Sequence, residues 1–149
     1  MKKLMIAALA LVFGLCVTGN ALASDKEVCE QVCKDAATMI KADINAAKAE
    51  INKKDGKFVK GSIYVFAMNM KGDMIAHPMK ASLIGKNLID QKDKNGKAFF
   101  KDFVELAKSK GSGWVDYMWP KPGEEAPSAK SSYILKVTDD VLVGAGYYK

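Results

Sequence analysis

Val28, Val32, Ala36, Ile40, Ile44, Ala47 and Ile51 recur at three- and four-residue steps, the spacing of one face of an α-helix. Alanines and lysines, both good helix formers, fill most of the intervening positions. The pattern predicts one long helix from Asp25 to about Lys53, ended by Lys54-Asp55-Gly56. From Ser62 to Asn69 the period drops to two. Ile63, Val65 and Ala67 fall on one side and Tyr64, Phe66 and Met68 on the other. Both sides are apolar, which predicts a central strand covered on both faces. Met74 to His77 reads as a second, short strand, entered through a glycine turn and stopped by Pro78. Residues 79–93 carry no period beyond one helical turn at Ala81 to Leu83.

After the Lys94-Asn95-Gly96 turn, Lys97 to about Lys108 is amphipathic, with Phe99, Phe100, Phe103, Val104 and Ala107 inward. Gly111 and Gly113 end that helix. Three strands follow, at Trp114 to Trp119, Lys130 to Thr138 and Val141 to Tyr148. Asp139-Asp140 is too short a link for anything but a hairpin. The order is helix, two strands, helical crossover and three strands. It defines an α+β domain on a five-stranded antiparallel sheet, and no internal repeat divides it.

The first residues change the picture of the compartment. Lys2 and Lys3 precede an apolar run from Leu4 to Val17, and Ala21-Leu22-Ala23 is a small-x-small cleavage signal. Residues 1–23 therefore read as a secretory signal peptide removed after Ala23. Residues 24–149 form a single soluble domain in the periplasm or outside the cell. Leu15 is too large for a lipobox around Cys16. The chain carries a formal +6, of which Lys2 and Lys3 contribute two. All of the basic residues are lysines, dispersed among acids. A nucleic-acid surface leans on the guanidinium fork, so no nucleic-acid role is expected. Cys29 and Cys33 remain after export. An oxidising compartment favours a disulfide, yet i,i+4 helical spacing sets Cβ atoms roughly 5–6 Å apart, beyond usual disulfide reach. A frayed helix start, an intermolecular bridge and two unbridged thiols all stay open.

Candidate enzyme chemistry is thin. His77 is the single histidine, no serine sits in a nucleophile elbow, and the two cysteines lie on a different element. No catalytic residue, metal site or cofactor is expected. Asp93, Asn95, Gly96 and Asp102 partly imitate a calcium loop, but Gln91 at the first ligand position and Lys92 and Lys94 beside it favour a plain Asn-Gly turn. Tyr117 and Trp119, two apart on a strand, share a face and each carry a polar handle. Gly144 and Gly146 lie inside the last strand, where glycine permits close approach of a neighbour or ligand.

The segments YVFAMNMKGDMIAHP (64–78), GKNLIDQKDKNGK (85–97), GWVDYMWPKPGEEAPSAKSSY (113–133) and VLVGAGYYK (141–149) together resemble the single Cache domain family, extracytoplasmic sensor modules of bacterial chemoreceptors and kinases. The resemblance implies a PAS-like sheet, with the long N-terminal helix behind it and a ligand on the other face beneath the crossover. It implies a short-chain carboxylate or similar small anionic metabolite as ligand. The string Lys130-Ser131-Ser132-Tyr133 fits the family's K-x-S-Y pattern, with Lys130 as the carboxylate partner. Tyr64, Phe66, His77, Tyr117, Trp119, Lys130 and Tyr133 are the expected ligand-binding residues, framing a hollow large enough for a few heavy atoms. Strict alternation sets Lys130 and Tyr133 on opposite faces, so both reach the pocket only if Lys130 belongs to the loop or a bulge intervenes. Occupancy would be passed to a separate membrane receptor or kinase. The alternative is an interaction protein that dimerises through its N-terminal helix and binds no ligand.

Overall fold

The computed structural model describes residues 22–149, so the leader reading for residues 1–21 lies outside the described residues. Helix α1 spans Asp25–Ala42 and α2 spans Ile44–Ile51. Ser24 and Glu27 form a reciprocal capping box at the start of α1, satisfying two backbone donors. The expected single helix is broken at Asp43. That residue is extended (φ −157°, ψ 105°), and its carboxylate accepts from the amides of Asn45 and Ala46. Aspartate is among the strongest N-caps, and here it restarts the helix. The apolar stripe runs on through Ala47 and Ile51, both buried, while Ile44 is 39% exposed.

The strands are β1 (Val59–Lys60), β2 (Ile63–Asn69), β3 (Met74–Ala76), β4 (Ser112–Pro120), β5 (Pro127–Lys136) and β6 (Val141–Tyr148). These are the five expected strands plus the two-residue β1. Helix α3 spans Phe99–Lys110, two residues later than its sequence pattern. The sheet is antiparallel, in the order β1-β2-β6-β5-β4. Strand β6 takes one side of β2, so β1 and β3 share the other, β1 beside Ile63 and Tyr64 and β3 beside Ala67 and Met68.

Two apolar layers cover the sheet. Ile63, Val65 and Ala67 face α1 and α2, where Val32, Ala36, Ile40, Val143 and Ala145 complete one core. Tyr64, Phe66 and Met68 face the other way, toward α3 and the crossover, with Phe99, Phe103, Tyr117 and Trp119. Each layer removes large side chains from water at about 25 cal/mol per Å² of apolar surface. No helix among the described residues is long and apolar enough to cross a membrane.

The crossover is pinned at three places. Asn87 donates to the Asp73 carboxylate and the Lys71 carbonyl. Asp93 accepts from the amides of Asn95, Lys97 and Met118, tying the loop to β4. Those bonds commit Asp93 to an Asx turn. The His77 amide donates to the Asn52 side chain at the end of α2.

Candidate functional site

Strand alternation builds the floor beneath α3. On β2 the cavity face carries Tyr64 and Phe66, and on β6 it carries Gly144, Gly146 and Tyr148. On β5 it carries Lys130, Ser132 and Ile134, and on β4 Tyr117 and Trp119. Register sets Tyr148 beside Lys130, Gly146 beside Ser132 and Gly144 beside Ile134, and Tyr117 is the partner of Lys130 on the other side. The two glycines are empty places on this floor. A Cβ on Gly146 would stand 2.1 Å from Ser132 Oγ and 2.9 Å from Lys130 Cε, and one on Gly144 would stand 2.3 Å from Phe66 Cζ. Their hydrogens let the Lys130 stem and the Phe66 ring lie flat against the sheet.

The structure brings six of the seven expected residues to one cavity: Tyr64, Phe66, His77, Tyr117, Trp119 and Lys130, with Met74 and the α3 residues Phe99, Phe100 and Phe103. Tyr133 points to the opposite face, where it packs against Trp114 and the core beneath α1. The reason is regular pairing. Lys130 is an interior residue of a ten-residue β5, with no loop or bulge to restore Tyr133 to its side. The cavity measures about 10 Å³, room for about one water molecule. It is smaller than the sequence suggests because Phe99, Phe100 and Phe103 fill it from above. Phe99 stacks on Tyr117 at 4.4 Å, and Phe103 stacks on Phe66 at 5.6 Å.

Sequence reasoning left the three phenylalanines and Tyr148 out of the site. Tyr148 was signalled by alternation, since it shares a face with Gly146. The phenylalanines were legible as an inward helix face, but nothing local tells which core that face enters.

The polar groups of the cavity are nearly all donors. Lys130 is 1% exposed, and its Nζ is the one buried side-chain nitrogen or oxygen without a hydrogen-bond partner among the described residues. It stands 4.0 Å from the Tyr64 ring centroid and 5.1 Å from that of Tyr148. Burial pushes its pKa down, partly offset by the charge and the hydrogen-bonding influence of the neighbouring Tyr64 hydroxyl. That hydroxyl accepts from Trp119 Nε1 at 3.1 Å, and the Tyr117 hydroxyl is 2.9 Å from Ser132 Oγ. Burial raises the Tyr117 pKa well above its ordinary value, so the phenol stays protonated.

His77 Nδ1 accepts from the amides of Met79 and Lys80. This network assigns its proton to Nε2. Burial, then the charges of Lys130 and Lys80, hold the imidazole neutral by lowering its pKa to about 3. At the rim, Lys80 Nζ lies 5.3 Å from the Trp119 ring centroid.

Cys29 and Cys33 belong to the other layer. Both are buried free thiols, and Cys33 Sγ is 3.8 Å from the Tyr133 carbonyl oxygen. Burial raises the Cys29 pKa to about 12. Among the described residues no group of three metal-ligating side chains converges.

A mixed sheet-and-helix module with a buried cation in an aromatic box is the setting of a candidate small-ligand site. A family model described as a Cache domain matches residues 22–149, and the chain belongs to that family. It is 37% identical over 86 residues to the methyl-accepting chemotaxis protein McpP of Pseudomonas putida, an alignment covering 57% of this chain and 16% of that relative. The chain thus spans about a sixth of the length of the curated relative it matches. Among solved structures, it is similar to one described as the structural basis for carboxylic acid recognition by a Cache chemosensory domain, with 30% identity and a TM-score of 0.72. That match covers 83% of this chain and 92% of the other. A periplasmic sensor domain of a chemotaxis protein matches with 28% identity and a TM-score of 0.67, over 80% and 86% of the two chains. A methyl-accepting chemotaxis protein from Vibrio parahaemolyticus matches with 28% identity and a TM-score of 0.71, over 83% and 87%. The fold is the PAS-like sheet of these Cache domains.

Proposed function

We propose that this chain is an extracytoplasmic sensor domain that binds a small carboxylate beneath its crossover and passes occupancy to a partner in chemotaxis or signal transduction. Residues 24–149 are the folded receptor and residues 1–23 the export leader. One observation carries the reading: among the described residues the buried Lys130 ammonium meets no carboxylate and makes no full hydrogen bond. Removing such a charge from water costs several kcal/mol, and a desolvated cation–π contact returns about 2 kcal/mol. A carboxylate would satisfy Lys130 and also accept from His77 Nε2 or the Tyr117 hydroxyl. Chemosensory relatives, one described by its recognition of carboxylic acids, support the same ligand class. Because the cavity holds about one water, binding requires α3 or the crossover to yield, and that displacement is the signal.

Thermal melting and calorimetric titration with acids of two to four carbons test the reading. A ligand that binds only the folded state raises the melting temperature. The acid that raises it in the native protein should do nothing to Lys130→Ala and Tyr117→Ala. An equal shift in both variants would move the site elsewhere.

A further inference from the structure

His77 belongs to two parts of the molecule at once. Its imidazole lies in the cavity wall, with its ring centroid 5.2 Å from that of Tyr64, 6.3 Å from Phe66 and 6.4 Å from Trp119. Its backbone amide donates to Asn52 Oδ1 at 2.9 Å. Among the described residues, no other member of the cavity wall makes a hydrogen bond to α1, α2 or the residues that cap them. His77 is also clamped on its other side. Pro78 confines the residue before it to extended backbone, and Nδ1 is held by the amides of Met79 and Lys80 at 3.2 and 3.0 Å. Ring and backbone form one unit, so a displacement of the imidazole carries the amide with it.

Asn52 ends a short helix with caps of its own. Its amide donates to the Lys48 carbonyl, so the side chain that holds His77 rides on the last turn of α2. At its start α2 is joined to α1 through Asp43. The Asp43 amide donates to the Met39 carbonyl and closes α1, while its carboxylate and carbonyl accept from the amides of Asn45, Ala46 and Ala47 and open α2. Each helix keeps its own terminal bonds, and a change in the dihedrals of this one extended residue swings α2 while both caps hold. Of its eight residues α2 buries Ala47 and Ile51, a light attachment to the core.

Resting on the carboxylate reading above, we propose that Asn52 is a positioning residue of the ligand site: its side chain fixes where His77 stands in the cavity wall, and through the same bond an occupied cavity tightens α2. Asn52 touches no ligand and acts through the His77 amide. An acid that accepts from Nε2 holds the ring, the ring holds the amide, and the amide holds the end of α2. Such a coupling is reciprocal, so whatever holds α2 in place also strengthens binding.

Calorimetric titration with acetate, propanoate and butanoate, paired with amide hydrogen exchange, tests this in the native protein, Asn52→Asp and Asn52→Leu. Asn52 is exposed, so both variants are expected to fold. Aspartate keeps an oxygen acceptor there and leucine keeps the shape without one. The acid that binds the native protein should slow exchange of the amides of Lys48 to Asn52 beyond any change in the middle of α1. Asn52→Leu should bind that acid about three- to tenfold more weakly, the worth of one positioning hydrogen bond, and when saturated should show no slowing in α2. Asn52→Asp should follow the native protein in both readouts, which a merely structural loss at this position would not produce. Equal affinity or equal slowing in Asn52→Leu overturns the inference, as does the absence of slowing in the saturated native protein. Losses as large in Asn52→Asp as in Asn52→Leu overturn it too, because the acceptor would then not be what matters. No calorimetric response of the native protein to any of the acids overturns the carboxylate reading itself, and this inference falls with it.

Discussion

The Nζ of Lys130 stands 4.0 Å from the Tyr64 ring centroid and makes no hydrogen bond among the described residues. A folded protein rarely leaves a buried ammonium in that state. Aromatic faces hold the cation in place without neutralising it, so the arrangement favours an anion arriving from outside.

Gly146 decides where that ammonium sits. An alanine there would collide with Ser132 Oγ at 2.1 Å and with the Ser131 carbonyl oxygen at 2.6 Å, as well as with Lys130 Cε. The carbonyl is backbone, so a rotamer change alone does not relieve the clash. Gly146→Ala is expected to cost about 1–3 kcal/mol in urea denaturation, as overpacking does. It should also weaken carboxylate binding by displacing Lys130. Unchanged affinity in calorimetry would show that Lys130 does not need this position.

His77 makes stability depend on acid. Burial first, and the charges of Lys130 and Lys80 second, lower its folded pKa from 6.5 to about 3. Between those values the unfolded chain binds a proton that the folded chain refuses. Stability from this group is therefore complete above pH 6.5 and is lost as pH falls toward 3, by up to about 1.4 kcal/mol per pH unit. Asp73, Asp93 and Asp116 have lowered pKa values and titrate below that range's upper half. Urea midpoints of the native protein should fall between about pH 6.5 and 5, where carboxylates are still ionised, and those of His77→Gln should stay flat. Parallel slopes in the two proteins would contradict the neutral, buried imidazole.

The thiols bear on the alternative of a helix-mediated dimer. Cys29 and Cys33 are both 0% exposed, and burial holds the Cys29 pKa near 12. Only thiolate reacts, so a thiol reagent should label neither cysteine in the folded protein and both in denaturant. A covalent dimer on a non-reducing gel would show that α1 opens where the structure has it closed.

The sequence declared the parts whose physics is local. Alternation at Ile63 to Met68 named both faces of β2, the periodic stripe named the buried face of α1, and Pro78 with Gly111 bounded their elements. Asp43 was readable as an N-cap, but the stripe continuing through Ala47 and Ile51 concealed the break. Tyr133 was grouped with Lys130 by a short string, although alternation alone separates them. The filling of the cavity by Phe99, Phe100 and Phe103 depends on how α3 crosses β4 and β5, a tertiary relation no local pattern states.

The paired melting and binding behaviour of Lys130→Met tests the central claim most directly. Replacing an unpaired buried charge with an apolar side chain of similar length removes a desolvation cost. Lys130→Met without ligand should melt above the native protein, yet show no further rise with the carboxylate that stabilises the native protein. A variant that melts lower, or that still responds to the acid, would contradict a binding cation kept in the core at the expense of stability.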